Sequence, residues 1–334
     1  MKEVVAKRDS NMELLRIIAM LFVMFFHTNV ISFHGTNIID LSNYTFNSFI
    51  RVFWELTTLI CVDTFVLLSG WYGIRPNRKK TVGLIFQVFF FLVLSYLFDI
   101  INNPDCHFSI HSFSLLFLFN KYWFFITYLF LILFAPILNT FIERCSKKTF
   151  LTFLICLFTL QTFYGYIQKV PWYDLGASPV FFFFLYMLAR YVRLYQPAFS
   201  KFNKYIDLSI FLFIIFIESI IYCYLFQYGG ENKLDYIVCY LSPLVIIDAL
   251  FFLLFFSKLH FSSRIINWIA VSSFAAYLLH ASQWDLYIDT LNRNMLKMDS
   301  TPFVLFYFIY VFSIFMVSIL IDKVRIWVFN KIYQ

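Results

Sequence analysis

Ten apolar runs, each close to the length needed to cross a membrane, constrain the fold of this chain more than any other feature. They lie at residues 13–33, 51–73, 81–100, 122–142, 149–167, 179–195, 205–227, 235–257, 265–283 and 302–322. A membrane-spanning helix needs about 20 mainly apolar residues. Hydrophobic residues make up 61% of the 334 residues and charged residues only 13%, which is not the composition of a soluble domain. The sequence therefore predicts an all-α, polytopic membrane protein with about ten transmembrane helices.

Positive charge alternates between the segments that connect these runs. If the N-terminus is cytoplasmic, the cytoplasmic segments hold 19 of the 26 Lys and Arg residues and the outer segments hold six, while Arg16 lies inside the first run. Short cytoplasmic loops are enriched in Lys and Arg. The distribution predicts that both termini are cytoplasmic, and it explains the net charge of +7 without a nucleic-acid partner. The first run is too long for a cleaved signal peptide and is expected to remain as an anchor.

Two polar residues of the first run, Arg16 and His27, are predicted to share one helix face. They are eleven residues apart, which is three turns plus roughly 20° and a separation of about 16 Å along the axis. An ionisable group in hydrocarbon costs roughly 2.5–3.5 kcal/mol on insertion scales, so it requires a partner or an aqueous cavity. We predict that both line one passage, with Arg16 toward the cytoplasm and His27, a catalytic base, in the outer half. The alternatives are an Arg16 that extends to the interface and a His27 that belongs to the core.

The second run supplies two carboxylates and a serine. Glu55 is predicted at about the depth of His27, Asp63 near the middle of the membrane, and Ser69 near the cytoplasmic mouth. A carboxylate beside an imidazole fixes its tautomer and raises its basicity. Glu55 and Asp63 are therefore both candidate catalytic partners of His27, and either can instead pair with Arg16 or with another helix.

The loop after the second run is the densest basic cluster in the chain, with Arg75, Arg78, Lys79 and Lys80 within six residues. Guanidinium groups suit bidentate contact with phosphate oxygens, although cytoplasmic loops are basic in any membrane protein. No Walker-type glycine loop and no G-x-G-x-x-G are present, which argues against nucleotide hydrolysis. The six cysteines have no zinc-type spacing, so we expect no metal site.

Several segments together resemble the acyltransferase 3 family of bacterial integral-membrane acyltransferases. The first is the Arg–ten residues–His pattern of the first helix, here Arg16, IIAMLFVMFF and His27. The others are CVDTFVLLSGWYGI, the Arg75-x-x-Arg78 loop, YWFFITYLFLILFAPILNTF with its Trp and Pro, FFLYMLARYVRLY, and SSFAAYLLHAS with its Tyr-Leu-x-His ending. The resemblance covers nearly the whole chain and implies one transmembrane acyltransferase domain, 1–334, without a following hydrolase-like domain. Related sequences often carry Asn where this one has Asp63.

The resemblance implies an enzyme of the bacterial cytoplasmic (inner) membrane, a multi-pass O-acyltransferase that uses acetyl-CoA or another short acyl-CoA. The acceptor would be a hydroxyl of an exopolysaccharide, capsule, O-antigen or related lipid-linked glycan. The coenzyme would bind to the basic loop, its pantetheine arm would pass Arg16, and His27 would be the general base. The cofactor-binding residues would then be Arg75, Arg78, Lys79, Lys80 and Ser69.

Two further residues are candidates for acceptor binding. Trp123, at the outer end of the fourth run, can stack on a sugar ring or belong to the interfacial aromatic belt. His280 can face the active cavity or pack in the core.

Direct transfer of the acyl group from the donor to the acceptor is the preferred mechanism, and an acyl-His27 relay remains an alternative. A glycan flippase or secondary transporter is the rival function, although such carriers tend to have Gly- and Pro-broken helices in paired halves, and this chain has only eight of each.

Overall fold

The computed structural model describes residues 9–29, 46–75, 77–102, 108–115, 122–229, 233–280 and 300–333. Every regular element in these residues is helical. The α-helices are α1 Ser10–His27, α2 Phe46–Leu59, α3 Cys61–Tyr72, α4 Arg78–Asn102, α5 Ile110–Leu115, α6 Trp123–Arg144, α7 Lys147–Leu160, α8 Pro179–Tyr195, α9 Lys204–Gln227, α10 Leu234–Ile237, α11 Pro243–Ser257, α12 Arg264–Ala270, α13 Phe274–His280 and α14 Ser300–Ile332. A π-helical segment, Gln161–Ile167, extends α7.

All ten predicted runs contain helix, which confirms the all-α, polytopic prediction. Seven helices of the described residues are long and apolar enough to cross a membrane. They are Ser10–His27, Phe49–Tyr72, Arg78–Ile101, Trp123–Arg144, Lys147–Ile167, Lys204–Gln227 and Pro302–Ile332. The other three runs are shorter or broken: α8 has 17 residues, α11 has 15, and a turn separates α12 from α13. Residues 30–33 and 281–283 of the predicted runs lie outside the described residues.

Helix α1 lies at the centre of the bundle. It packs against α2, α3, α11, α12, α13 and α14. In the apolar segment of α1, 61% of the residues are buried, and in that of the α2–α3 span 78% are buried. In the other long spans only 22–33% of the residues are buried. The outer helices expose large apolar side chains such as Leu133, Phe213 and Leu305, as expected where a helix faces lipid. The two helices that carry most of the predicted catalytic residues are therefore the two most enclosed by protein.

The closest helix contact in this region joins α3 to α8 at Gly70. A Cβ atom built on Gly70 would lie 2.3 Å from the carbonyl oxygen of Tyr186. Only glycine allows two helix backbones to approach so closely, which is a common device for packing helices in membranes. Gly70 follows Ser69 directly, so this contact also sets the position of the C-terminal end of α3.

Candidate functional site

A cavity of about 340 Å³ opens beside the basic loop. We call this cavity the basic vestibule. Its wall is formed by Arg16, Phe65, Leu68, Ser69, Ile74, Arg75, Asn77, Lys80, Thr81, Leu84, Gln87, Phe124, Tyr128, Ile132, Ala270, Val271, Ser273 and Phe274. Four of the predicted site residues, Arg16, Ser69, Arg75 and Lys80, thus meet in one cavity although they come from α1, α3, the loop before α4 and the first turn of α4.

The Arg16 side chain lies in the wall of the vestibule with a carboxylate beside it. Its Nη1 donates to Glu13 Oε2 at 2.5 Å, and its side chain remains 31% exposed. Sequence reasoning missed Glu13, although residues three apart on a helix are neighbours. The pair explains how α1 holds a guanidinium group near the vestibule, because the carboxylate offsets part of the cost of burying the charge.

Ser69 is held in place by two contacts in the vestibule wall. Its Oγ lies 3.0 Å from the carbonyl oxygen of Phe65, to which it donates, and 2.9 Å from Tyr128 Oη. A serine hydroxyl has one proton, so Tyr128 is the donor in the second contact. One of the two lone pairs of Ser69 Oγ is thereby used by Tyr128, which favours a role for Ser69 in shaping the wall.

A three-residue clamp anchors the start of the basic loop. Tyr186 Oη accepts a hydrogen bond from Ile74 N at 3.0 Å and donates one to Asn139 Oδ1 at 2.6 Å. Asn139 Nδ2 in turn donates to the carbonyl oxygen of Ile74 at 2.8 Å. Both backbone groups of Ile74 are therefore bound by side chains of α6 and α8, and this fixes the residue directly before Arg75. This clamp could not be predicted from the sequence, because its members are far apart along the chain.

The four basic residues of the loop differ in their relation to the vestibule. All four are exposed, but only Arg75 and Lys80 lie in the vestibule wall. The Lys79 ammonium lies 5.5 Å from the centre of the Tyr333 ring. Asn77 Oδ1 accepts from Lys80 N at 3.2 Å and so occupies the position of a helix cap. The N-terminus of α4, which favours negative charge, therefore borders the cavity.

A second, much smaller cavity of about 20 Å³ contains His27. We call it the histidine chamber. Its wall is formed by Met20, Val23, His27, Cys61, Val62, Phe65, Trp123, Phe124, Tyr240 and Tyr277. The imidazole of His27 stacks on that of His280, with ring centroids 5.6 Å apart and planes inclined by 17°. His27 and Trp123 thus lie in one wall, and His280 stacks on His27 without being part of that wall.

His280 ends α13 and is buried against His27. Its Nδ1 has no hydrogen-bond partner among the described residues. A buried polar nitrogen without a partner is uncommon in folded proteins. The atom is therefore available to a bound molecule or to water at the outer end of the site.

Phe65 and Phe124 belong to the walls of both cavities. Their ring centroids are 5.6 Å apart and their planes are nearly perpendicular, at 86°. The vestibule that contains Arg16 and the chamber that contains His27 thus meet at this pair of rings. Two cavities share this pair of rings, a wide basic one and a narrow apolar one. That they form one continuous passage stays a prediction, and sequence reasoning did not foresee the aromatic pair between them.

The two predicted carboxylate partners of His27 differ in their surroundings. Glu55 Oε2 accepts a hydrogen bond from Asn29 Nδ2 at 2.9 Å. Asn29 lies two residues after His27, the last residue of α1. Asp63 is fully buried, and neither of its oxygens has a hydrogen-bond partner among the described residues. In the described part of the chain no hydrogen bond joins either carboxylate to His27. His280 is instead the titratable group that stacks on His27.

Comparison with known proteins agrees with this architecture. The family model described as an acyltransferase domain, Acyl_transf_3, matches residues 9–323. No curated protein and no solved structure matches the chain. Because the family model covers nearly the whole chain, including both cavities, this protein belongs to the acyltransferase 3 family of membrane acyltransferases.

Proposed function

We propose that this protein transfers a short acyl group, acetyl above all, from cytoplasmic acyl-CoA to a hydroxyl of a cell-envelope glycan or its lipid-linked precursor. The acceptor class comprises exopolysaccharide, capsule and O-antigen, and the site of action is the bacterial cytoplasmic membrane. The observation that carries the proposal is the meeting of the basic vestibule and the histidine chamber at Phe65 and Phe124. A donor with a polyanionic end and a narrow arm fits such a two-part route.

The vestibule suits the phosphates of coenzyme A. Arg75 and Lys80 lie in its wall with Arg16, and the capped N-terminus of α4 borders it at Asn77. Cationic side chains and a helix N-terminus both favour phosphate groups. Arg78 and Lys79 add positive charge beside the entrance and would attract the donor by long-range electrostatics.

In the proposed reaction His27 is the general base. Its imidazole takes the proton of the acceptor hydroxyl while the hydroxyl oxygen attacks the thioester carbonyl carbon. The carbon–sulfur bond then breaks, and the proton passes from His27 to the leaving thiolate, so that no proton is gained or lost. Such a base contributes typically about 10²- to 10⁴-fold to the rate. Trp123, whose ring forms part of the chamber wall, would stack on the acceptor sugar outside the chamber, because about 20 Å³ does not hold a sugar ring. An acyl-His27 relay is the second route.

The double substitution Arg75→Ala with Arg78→Ala is expected to weaken acetyl-CoA binding by at least about tenfold, because a hydrogen bond to a charged group contributes about 1.5–3 kcal/mol. Isothermal titration of the detergent-solubilised protein measures the effect. A wild-type protein that binds no acetyl-CoA would contradict the proposal and favour the rival flippase or transporter.

Lys80→Ala and Lys79→Ala are a matched pair of variants for the same titration. Lys80→Ala should weaken acetyl-CoA binding more than Lys79→Ala, because of these two residues only Lys80 lies in the vestibule wall.

The Tyr186→Phe substitution tests whether the clamp positions the basic loop. It removes the hydroxyl that binds Ile74 N and Asn139 Oδ1. The substitution removes two hydrogen bonds, each of which contributes about 1 kcal/mol, so acetyl-CoA affinity should fall by roughly fivefold or more. Tyr191→Phe is the control, since Tyr191 lies on the same helix and packs on Phe150. Equal affinities for the two variants would show that the clamp does not act on the donor.

A further inference from the structure

The histidine chamber differs from the basic vestibule in both size and polarity. Its volume is about 20 Å³, against about 340 Å³ for the vestibule. We infer that this chamber is the acyl pocket and that its wall restricts the donor to an acetyl group. The inference rests on the proposed function and adds to it the identity of the acyl chain and the residues that select it.

The size of the chamber limits the length of the acyl chain. An internal cavity needs roughly 10–15 Å³ to hold one water molecule. The chamber, at about 20 Å³, therefore accepts a group about as large as a methyl. A butyryl chain adds two methylenes and a hexanoyl chain adds four. These would have to displace wall residues that are already buried, such as Met20, which is 2% exposed, and Cys61, which is 1% exposed.

The polarity of the wall selects against charged acyl groups. One side of the chamber is formed by Met20, Val23 and Val62, and the other by the aromatic rings of Trp123 and its neighbours. No Lys, Arg, Asp or Glu is among the described residues of this wall. A succinyl group would carry its carboxylate into an apolar space without a counter-charge, which is strongly unfavourable. The chamber therefore favours acetyl over succinyl as well as over longer chains.

Met20 is the α1 wall residue whose truncation to alanine removes the most side-chain volume. It lies seven residues before His27, about two turns along α1, and therefore on the same face of the helix. Its unbranched side chain fills the space between α1 and its neighbours. Met24 provides a matched control, because it is equally buried, at 0% exposure, on the same helix and is not part of the wall of either cavity.

The test compares the binding of CoA, acetyl-CoA, butyryl-CoA, hexanoyl-CoA and succinyl-CoA to the purified full-length protein in lipid nanodiscs. Wild type should bind acetyl-CoA at least about tenfold more tightly than hexanoyl-CoA or succinyl-CoA, since a single methylene in an apolar pocket changes discrimination by 10- to 200-fold. Met20→Ala should bind hexanoyl-CoA roughly tenfold more tightly than wild type and CoA equally well. Met24→Ala should keep the wild-type order.

Each outcome separates the two hypotheses. If no compound binds to wild type, CoA included, the proposed function itself fails. If CoA binds but wild type does not distinguish acetyl from hexanoyl, or if Met20→Ala and Met24→Ala change the order alike, the acyl-pocket inference is overturned and the donor site remains. If Met20→Ala is not monodisperse on size-exclusion chromatography, Val23→Ala enlarges the same wall and is judged by the same criteria.

Discussion

Replacement of His27 by Ala abolishes glycan acylation and leaves membrane insertion intact; this is the largest effect on activity that we expect. In the proposed reaction the imidazole is the general base; Trp123 lies in the same chamber wall and His280 stacks on the ring. Loss of a general base lowers the rate about 10²- to 10⁴-fold, which brings acylation below detection in cells. Mass spectrometry of envelope glycans from cells that express each variant measures the acyl content.

Two comparisons distinguish a catalytic role of His27 from a structural one. Acetyl-CoA binding by His27→Ala should stay near the wild-type value, because the phosphates bind at the vestibule, some distance from the ring. His111→Ala is the matched histidine control, since His111 is exposed on α5 and lies in neither cavity wall. Full glycan acylation by the His27 variant would remove the catalytic assignment, and loss of acetyl-CoA binding would point to a folding defect.

Much of the fold follows from the sequence because a membrane leaves a chain few options. Backbone polar groups in hydrocarbon must bond within their own helix, so an apolar run of sufficient length predicts a spanning helix wherever it occurs. Helix α11 shows the limit of this rule. It begins at Pro243, which follows a serine, and covers only residues 243–257 of the run predicted at 235–257, whereas α8 covers the whole of its predicted run, 179–195.

The site was predictable only where its residues share one helix. The spacing of Arg16 and His27 places both on one face of α1, and the structure puts them in the walls of two adjoining cavities. The Phe65–Phe124 pair and the Tyr186–Asn139 clamp join residues of different helices. Such contacts depend on the rotation and crossing of helices, which hydropathy does not encode. In a chain with 48 Phe residues, nothing local distinguishes the two that separate the cavities.

The same limit applies to the carboxylates. Depth along the second run made Glu55 a candidate partner for His27, and in the structure its Oε2 accepts a hydrogen bond from Asn29. Depth along a helix can be counted from the sequence, because the rise per residue is constant. The neighbour toward which a side chain points cannot be counted in this way, because it depends on how two helices pack.

Gly70→Ala should cause the largest loss of stability. The new Cβ would lie 2.3 Å from the carbonyl oxygen and 2.9 Å from the carbonyl carbon and Cα of Tyr186. These are backbone atoms, so the clash cannot be relieved by a side-chain rotation and α3 must move away from α8. Overpacking typically costs about 1–3 kcal/mol of stability. Because the clash here is with backbone atoms, we expect a cost near the upper end of this range. Thermal unfolding in detergent should begin roughly 5 °C lower.

Gly83→Ala is the matched control for this prediction. Gly83 also lies within a long helix, α4, but its added Cβ would approach only the Phe329 ring, at 3.4 Å, which is ordinary contact. Alanine is favoured over glycine inside a helix by about 0.5–1 kcal/mol, so this variant should be unchanged or slightly stabilised. The α3–α8 contact also adjoins Ser69 and the Ile74 clamp, and Gly70→Ala should therefore weaken acetyl-CoA binding together with stability. Equal transition temperatures for the two variants would contradict the assignment of Gly70 as the point that sets the α3–α8 distance.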